Sequence, residues 1–308
     1  MTALRAGELA LEAGVPPGVI NVIPGFGYIA GEALSRHMDV DKIAFTGSNA
    51  VGHKIMEGSA QSNLKRVTLE LGGKSAAIVC ADADIDKAVE EVHFALFFNQ
   101  GQVCCAASRI YVHESVYDEF VQKSVAKAKA RTVGDPFTTV DQGPQVNESQ
   151  FKKIMNYIDI GRSEGANLQT GGNRVGTAGY YIEPTVVRAK SNAARVCQEE
   201  IFGPFATFVT FDTFEEALAI ANDSTFGLVA YVWTSNLDKA NLAMKKLRTG
   251  TVWVNTPVVR DLRSAFGGYR ESGIGREGGK GCMALYTEEK TTMVAIEKMP
   301  IRKLGVSK

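Results

Sequence analysis

Two adjacent cysteines occupy a segment that could present a nucleophile to a substrate. Cys104 and Cys105 lie in FFNQGQVCCAASR, residues 97–109, between a predicted helix and a predicted strand. Small residues flank the pair, so a substrate could reach a sulfur there. Backbone N–H groups could hold that sulfur as a thiolate, which is the form that attacks carbon. The alternative is that both cysteines are small buried hydrophobic side chains.

Glu70 is the second candidate, because it interrupts an apolar run in TLELGGKS, residues 68–75. A carboxyl group among leucines is poorly solvated, so its pKa is expected to rise toward neutrality and make it a usable general base. Two alternatives remain open. Glu70 could be a solvated residue on an edge strand. It could also bind a ribose, since it follows Gly47 by the spacing of about 20 residues that dinucleotide-binding folds use.

A glycine turn in FTGSNAVG, residues 45–52, predicts a strand, a turn and a helix. The first N–H groups of a helix that opens at Gly47 and Ser48 would bind a phosphate group. Capping of the helix by the Ser48 hydroxyl explains the same residues equally well. The segment lacks the GxGxxG triplet and the lysine of a P-loop, so it identifies no nucleotide site by itself.

Rigid elements must hold these residues, and the chain supplies strand-like apolar runs that alternate with helical patterns. That alternation is typical of βα units and predicts an α/β fold around a parallel sheet. The predicted strand and helix pairs are residues 19–23 with 28–37, 43–45 with 49–60, 76–79 with 84–98, 110–112 with 115–131, 206–211 with 213–222, and 228–233 with 236–248.

Three further stretches predict connections and an edge. Residues 170–181 are glycine-rich and polar, which is typical of a surface connection, and the glycines of residues 267–281 indicate tight turns. Residues 291–296 form a last β-like stretch that could serve as an edge strand for a partner subunit.

The composition argues against several classes of function. The 308 residues carry 34 Lys plus Arg against 34 Asp plus Glu, so no net charge draws the chain to nucleic acid or to an acidic membrane. No apolar run approaches the about 20 residues of a membrane helix. Five cysteines without a CxxC pair predict a reducing compartment, with neither a disulfide framework nor a metal site. The cytoplasm is the expected location, and an organelle is the alternative.

Six segments, in order, resemble the NAD(P)-dependent aldehyde dehydrogenase superfamily, and the resemblance covers essentially the whole chain. It implies a partial Rossmann-like coenzyme-binding domain at residues 1–72 and an α/β catalytic domain with the thiol at residues 73–271. Residues 272–308 would return to the coenzyme domain and include an oligomerisation strand near residues 287–296. The matching segments are VPPGVINVIPG at 15–25, FTGSNAVG at 45–52, LELGGKS at 69–75, FNQGQVCCAASR at 98–109, EEIFGPF at 199–205 and FGGYRESGIGRE at 266–277.

The resemblance also implies roles for single residues. Cys104 follows the GQ-x signature and would be the nucleophile, and Glu70 would be the general base, which argues against ribose binding. The cofactor would be NAD, with NADP as the alternative. Its contacts would be Pro24 and Gly25 at the adenine, Thr46, Gly47 and Ser48 at the pyrophosphate, Glu70, Leu71 and Gly72 beside the reacting groups, and Glu200 and Phe202 at the nicotinamide ribose and ring.

The implied reaction is the oxidation of a small-molecule aldehyde to a carboxylic acid. The Cys104 thiolate attacks the aldehyde carbon, N–H groups stabilise the oxyanion, and a hydride passes to the nicotinamide. Glu70 then activates the water that hydrolyses the thioester. Phe266 would line the substrate tunnel, with Cys105 next to the nucleophile.

One local segment, VRDLR at residues 259–263, bears on the substrate. It resembles the loop of the hydroxymuconic and aminomuconic semialdehyde branch, in which an arginine meets a substrate carboxylate. Arg260 or Arg263 could do so here, because guanidinium binds carboxylate in a bidentate manner. A surface arginine paired with Asp261 is the alternative. Residues 142–154 look closer to the aliphatic and retinal-type branch.

Members of the superfamily extend before the point where this chain starts. That portion would supply the first strands of the coenzyme sheet, the lysine and acidic residue that hold the adenosine ribose, and the asparagine of the oxyanion hole. Three hypotheses follow. The chain is part of a full-length enzyme, or a shortened form with little catalysis that acts as a binding or oligomerisation subunit, or a different thiol enzyme such as a cysteine hydrolase. The resemblance implies a homodimer or homotetramer.

Overall fold

The computed structural model describes residues 1–297. The strands are β1 Lys42–Thr46, β2 Arg66–Glu70, β3 Ala76–Val79, β4 Arg109–His113, β5 Asn167–Thr170, β6 Thr185–Arg188, β7 Phe205–Phe211, β8 Val229–Trp233, β9 Thr251–Val254 and β10 Gly273–Ile274. The α-helices are α1 Thr2–Glu12, α2 Glu32–Arg36, α3 Asn49–Ala60, α4 Ile85–Phe97, α5 Glu114–Ala130, α6 Glu148–Ser163, α7 Arg195–Gln198, α8 Phe214–Asn222, α9 Leu237–Lys246 and α10 Gly281–Ala284. A π-helical turn, Gly27–Gly31, leads into α2.

Seven strands form the larger sheet, in the order β5-β6-β7-β4-β3-β8-β9. All neighbours in it are parallel except β5 and β6. The central strands β3 and β8 are apolar and buried along their whole length, as expected for a sheet that helices cover on both faces. One apolar cluster packs α4 and α5 on the sheet, and a second packs α8 and α9. The α/β fold predicted from the alternation is therefore correct.

Helix α4 leads the chain into the cysteine loop, and its sequence explains both its start and its orientation. Asp84 precedes the helix, and its side chain accepts a hydrogen bond from the Lys87 N–H at 3.1 Å, which caps the first turn. Val89, Val92 and Leu96 are buried on one face, as their helical spacing predicts. The cysteine loop thus begins from a helix that is anchored on the core.

A smaller sheet has the order β1-β2-β10, with β1 parallel and β10 antiparallel to β2. The late part of the chain reaches this sheet through residues 267–281, which turn repeatedly with positive φ at Gly273, Gly275 and Gly278, as predicted. Strand β1 lies at the edge, and within residues 1–297 no strand pairs with its outer side. The domain boundaries at residues 72 and 271 stay predictions.

Neither of two predicted strands forms within the described residues. Residues 19–23 form no strand, and Val19, Ile20 and Ile23 are 67%, 51% and 66% exposed. A strand needs a neighbouring strand for its backbone hydrogen bonds, and no described strand pairs with this run. The strand predicted from its apolar pattern is therefore wrong within the described residues. Residues 291–296 also form no strand, and their pairing with a partner subunit stays a prediction. The end of the third predicted domain, residues 298–308, lies outside the described residues.

Candidate active site

Glu70 is the last residue of β2, with β1 on one side and β10 on the other. It is 8% exposed, and its Oε2 atom has no hydrogen-bond partner within residues 1–297. Burial raises the pKa of Glu70 to about 7, with a further rise from Glu277, while Arg276 and Arg260 oppose it. The predicted rise toward neutrality is confirmed. Near pH 7 this carboxyl group can both accept and release a proton.

Two glycines after Glu70 bring the other predicted site residues together. A Cβ atom at Gly72 would lie 2.4 Å from Oε2 of Glu200, and one at Gly73 would lie 2.3 Å from the backbone oxygen of Cys104. Only glycine permits approaches this close. The Gly73 N–H donates to Oε1 of Glu200 at 3.0 Å. The turn after β2 therefore joins Glu70 of the smaller sheet to the cysteine loop and to Glu200.

The cysteine loop leaves α4 through three residues of left-handed backbone. Asn99, Gln100 and Gly101 have φ angles of 50°, 58° and 71°. Non-glycine residues rarely adopt this conformation, so the surrounding structure must hold the turn. In the loop that follows, Cys104 is partly exposed, whereas Cys105 is buried. A sulfur that receives a substrate needs the exposure that Cys104 has.

Several backbone N–H groups around Cys104 have no hydrogen-bond acceptor among the described residues. Within residues 1–297 the N–H groups of residues 103–105 donate no hydrogen bond, while the Ala106 N–H donates to the Val103 oxygen at 3.0 Å. The Tyr231 hydroxyl donates to the backbone oxygen of Cys105 at 2.8 Å and fixes the turn. Free N–H groups beside a reacting carbonyl are the donors that stabilise an oxyanion.

The two sulfurs influence each other's ionisation. The adjacent Cys105 thiol, burial, and the charges of Glu200 and Glu70 raise the pKa of Cys104. The hydrogen bond from Cys104 lowers the pKa of Cys105. Because the two thiols are coupled, the first proton leaves the pair more readily than the second. That backbone N–H groups hold Cys104 as a thiolate stays a prediction.

The start of α3 carries the residues that are predicted to meet a phosphate group. The side chains of Thr46 and Ser48 are exposed, and Ser48 precedes the helix without a capping hydrogen bond from its hydroxyl, so the capping alternative is wrong. The first N–H groups of a helix lack partners within it. Asn49 links this end to the turn after β2, because its Oδ1 atom accepts the Gly72 N–H at 3.1 Å. Leu71 is buried next to that turn.

The remaining predicted cofactor contacts differ in how firmly the chain holds them. Phe202 has a left-handed φ of 59°, and the Gln150 amide supports it by donating to its backbone oxygen at 2.7 Å. Pro24 and Gly25 are exposed and lie in an irregular segment before the π-helical turn. They lie in the exposed region around residues 19–29 and apart from the contacts around Glu70.

The two arginines of the VRDLR segment have different environments. Arg263 forms an ion pair with Asp261 at 2.5 Å, and its side chain is 89% exposed, which is the surface alternative weighed above. The Arg260 guanidinium lies 3.8 Å from the centre of the Phe266 ring. Within residues 1–297 Arg260 has no ion pair, and its charge acts on Glu70 and on Cys105. Of the two arginines of this segment, Arg260 is therefore the one that acts on the candidate site without an ion-pair partner in the described residues.

Sequence reasoning missed two lysines near Glu200. Lys74 is 1% exposed, and burial lowers its pKa to about 7. Lys153 lies on α6, and its charge acts on Glu200. Lys74 lies inside the LELGGKS segment, and a lysine on the short connection between the buried end of β2 and the buried strand β3 was the signal. Nothing in the sequence separated Lys153 from its exposed neighbour Lys152.

The four histidines serve other parts of the structure. Cys105, Glu200 and Glu70, and no histidine, are the groups that chiefly act on the pKa of Cys104. His93 is buried against the Phe97 ring, and burial lowers its pKa to about 4. The others bond near their own positions or at the surface: His37 to Asp39, His53 to Glu271 and His113 to Ser115. A Cys–His catalytic pair is thus unsupported.

Within residues 1–297 no helix is both long and apolar enough to cross a membrane. The same residues contain no group of three or more His, Cys, Asp and Glu side chains that could hold a metal ion.

Comparisons with known proteins agree with this geometry. The profile described as the aldehyde dehydrogenase family matches residues 1–292. The mitochondrial benzaldehyde dehydrogenase of Antirrhinum majus is 55% identical over 298 residues, 96% of this chain and 56% of that protein. The mitochondrial aldehyde dehydrogenase of Homo sapiens is 54% identical over 297 residues, 96% of this chain and 57% of that protein.

Solved structures show the same relation. An indole-3-acetaldehyde dehydrogenase in complex with NAD+ is 45% identical, with a TM-score of 0.91 over 95% of this chain and 60% of that one. The NAD+ complex of an aldehyde dehydrogenase from Bacillus cereus is 41% identical, with a TM-score of 0.94 over 96% of this chain and 60% of that one. The chain thus spans less than two thirds of the length of these relatives.

Proposed function

This chain belongs to the aldehyde dehydrogenase family, and from that premise we propose that it oxidises an aldehyde to a carboxylic acid with NAD+ through a thioester on Cys104. One observation carries the proposal. The turn at Gly72 and Gly73 lies against the backbone of the partly exposed Cys104 and against the carboxylate of Glu200, and it directly follows Glu70, a buried carboxyl group whose pKa is about 7. A nucleophile and a base tuned to neutral pH are the two groups that this chemistry needs.

The chain's own residues would act in sequence. Deprotonated Cys104 forms a bond to the aldehyde carbon, and the free N–H groups of residues 103–105 stabilise the oxygen that becomes charged. NAD+, when bound, supplies the acceptor for the hydride that leaves this carbon. Glu70 then takes a proton from water, and the hydroxide formed displaces the sulfur as a thiolate. The carboxylic acid leaves.

The residues present fit such a cofactor. Helix α3 has twelve residues and opens at Ser48 with its side chain uncommitted, which suits the pyrophosphate. The carboxylate of Glu200 suits the nicotinamide ribose, and glycine at position 72 leaves room beside it. Relatives have been solved as NAD+ complexes, so NAD is the proposed cofactor, and NADP remains the alternative.

The test separates the two chemical steps. With a simple aldehyde, NADH formation should continue in the parent chain and be absent in C104A, while C105A keeps it. In E70Q the first hydride transfer should occur and the thioester should persist, so NADH should stop at about one equivalent per site. If the chain hydrolyses an ester by means of Cys104 but forms no NADH under any condition, the dehydrogenase function is rejected. The chain would then be a cofactor-independent thiol enzyme.

We also propose that the substrate carries a carboxylate that Arg260 binds. The unpaired guanidinium of Arg260 above the Phe266 ring supports this, whereas Arg263 is already neutralised by Asp261. R260A should raise KM about tenfold or more for an acid semialdehyde and leave KM for a neutral aldehyde of similar size unchanged. R263A is the matched control and should change neither. An equal effect of R260A on both substrates would exclude carboxylate recognition.

A second candidate function is that of a binding or oligomerisation subunit with little catalysis. It is supported by the exposed apolar side chains of residues 19–29 and by the open edge of β1. Mixing with a full-length member of the family should then give a mixed oligomer, and I20D should prevent it. If the chain forms a homodimer or homotetramer by itself and produces NADH, this candidate fails.

Location is a further proposal. The cytoplasm suits the free cysteines, and two of the relatives are named as mitochondrial proteins, which makes an organelle the alternative. Cell fractionation with an antibody to the chain distinguishes the two.

A further inference from the structure

Asn49 is a polar side chain at the start of α3 that the proposed reaction does not use. Its Oδ1 atom accepts the Gly72 N–H at 3.1 Å, and its Nδ2 atom donates to the backbone oxygen of Glu271 at 2.6 Å and to Oε2 of Glu271 at 3.1 Å. Both ends of the amide are bonded, so the side chain is fixed in one orientation. The two partners lie 23 and 222 positions away in the chain, so Asn49 connects segments that are distant in sequence.

The bonds of Asn49 differ from those that an asparagine usually makes at a helix start. An asparagine beside the first turn commonly accepts from the N–H groups of its own helix. The amide of Asn49 is bonded to other segments instead, and within residues 1–297 the N–H groups of residues 48–50 donate no hydrogen bond. Asn49 thus anchors the start of α3 and leaves the first N–H groups of the helix without an acceptor in this part of the chain.

The partners of Asn49 belong to the two segments that adjoin Glu70. Gly72 follows Glu70 by two positions, and Glu271 lies shortly before β10, which pairs with the end of β2. These two segments are already joined to each other, because the Ser272 hydroxyl donates to the Gly72 backbone oxygen at 2.7 Å. Asn49 attaches α3 to both of them.

The turn after β2 also holds Glu200. The Gly73 N–H donates to Oε1 of Glu200 at 3.0 Å, and a Cβ atom at Gly72 would lie 2.4 Å from its Oε2 atom. The connection from the start of α3 to the Glu200 carboxylate therefore runs through Asn49 and two glycines. Glycine backbone has many accessible conformations, so the bond from Asn49 restricts the conformation of this turn.

One backbone hydrogen bond also joins the region before α3 to the end of β2. The Gly47 N–H donates to the Glu70 backbone oxygen at 3.0 Å. This bond ends at Glu70 and does not include the two glycines that follow, so it leaves the position of Gly72 relative to α3 open. Asn49 is therefore the side chain that sets this position.

We propose that Asn49 is a positioning residue that fixes the spacing between the start of α3 and the Glu200 carboxylate, and that this spacing suits a dinucleotide that contacts both. The ligand rests on the proposed function, in which α3 meets the pyrophosphate and Glu200 meets the nicotinamide ribose. The hydrogen bonds of Asn49 do not depend on it. Contacts that are held at the right distance before binding lose less entropy on binding, so loss of Asn49 should weaken a ligand that spans both.

The affinities of two ligands test the proposal. NAD+ would contact both α3 and Glu200, whereas ADP carries the pyrophosphate and lacks the nicotinamide ribose. In titration calorimetry N49A should weaken NAD+ about tenfold and change the affinity for ADP less than about twofold, because a single contact does not depend on the spacing. N63A is the matched control, because Asn63 makes two similar bonds beyond the other end of α3, to the Met38 oxygen at 2.8 Å and the Val40 oxygen at 3.0 Å. It should change neither affinity.

Hydrogen exchange of single amides, followed by NMR, tests the same link without a ligand. In N49A the Gly72 N–H loses its acceptor and should exchange about tenfold faster. The first bonded N–H groups of α3, those of Val51 and Gly52, should also exchange faster, because the helix start is no longer anchored. Asn49 is partly exposed and alanine is the stronger helix former, so N49A should fold, and propensity alone would slow this exchange. N63A should leave these amides unchanged.

Three results would overturn the proposal. The first is an equal loss of NAD+ and ADP affinity in N49A, which would mean a general disturbance of the helix start. The second is an unchanged affinity for NAD+ in N49A. The third is faster exchange at Gly72 with no change at Val51 and Gly52. If the parent chain itself does not bind NAD+, the proposed function fails, and the exchange measurement still decides whether Asn49 fixes the start of α3.

Discussion

Replacement of Glu70 by Gln should make the protein more stable, and only above a defined pH. Burial holds the pKa of Glu70 at about 7, against an ordinary value of 4.5. Between these values the folded chain keeps a proton that the unfolded chain has lost, so its stability falls as pH rises. The two pKa values differ by 7 minus 4.5, or 2.5, and at about 1.4 kcal/mol for each pKa unit this is equivalent to about 3.5 kcal/mol as an upper limit. Glutamine has the same shape and no charge.

Urea unfolding followed by tryptophan fluorescence measures this effect. E70Q and the parent should have nearly equal free energies of unfolding at pH 4.5, and E70Q should be more stable by about 1–3 kcal/mol at pH 8. Titrations elsewhere, such as that of His93, occur in both proteins and cancel in the difference. E57Q, at an exposed position on α3, is the control and should show no pH-dependent difference. A constant difference between E70Q and the parent from pH 4.5 to pH 8 would refute the reasoning.

Three further substitutions test single contacts. G73A should destabilise the fold by about 2 kcal/mol in urea unfolding, because its Cβ atom would lie 2.3 Å from the backbone oxygen of Cys104. The same change should alter the rate at which iodoacetamide labels Cys104. G281A is the control: the space around Gly281 is open, so this variant should be neutral or slightly stabilising. D82A should cost about 2 kcal/mol in urea unfolding, since the Asp82 carboxylate accepts from the Lys239 ammonium at 2.7 Å and from the Ser235 N–H at 2.8 Å. These hydrogen bonds lower the pKa of Asp82, so the difference should begin to shrink as pH falls below the ordinary value of 3.8. D84A should cost about 1 kcal/mol by loss of the α4 cap, with thermal unfolding of D84N near that of the parent as the check.

The sequence was informative where local chemistry decides the outcome. A carboxyl group between two leucines is poorly solvated in any fold that buries the run, so the raised pKa of Glu70 followed from its neighbours alone. The helices and the central strands of the larger sheet followed from apolar periodicity. Residues 19–23 have an equally apolar pattern and form no strand. A strand also needs a hydrogen-bonding neighbour, and a local sequence pattern does not show whether one is present.

Contacts between distant segments could not be predicted in this way. Arg260 and Arg263 stand three positions apart and looked equivalent, yet one pairs with Asp261 and the other lies over Phe266. Whether the buried Lys74 side chain has a hydrogen-bond partner depends on the bonds that neighbouring groups such as Arg109 already make. Each of these outcomes is a property of packing.

The site joins two sheets through one short piece of backbone. Glu70 belongs to the three-stranded sheet, whereas Cys104 and Glu200 are held by elements of the seven-stranded sheet, and the turn at Gly72 and Gly73 is in contact with both. The smaller sheet has three strands, and none of the residues of its edge strand β1 is buried, whereas the central strands of the larger sheet are buried throughout, so the smaller sheet is the less protected of the two. Local unfolding of this sheet would withdraw the base and leave the cysteine loop on its core. Mild urea should therefore abolish thioester hydrolysis at a lower concentration than the one that changes the alkylation rate of Cys104. If both change at the same urea concentration, the two sheets unfold as one unit.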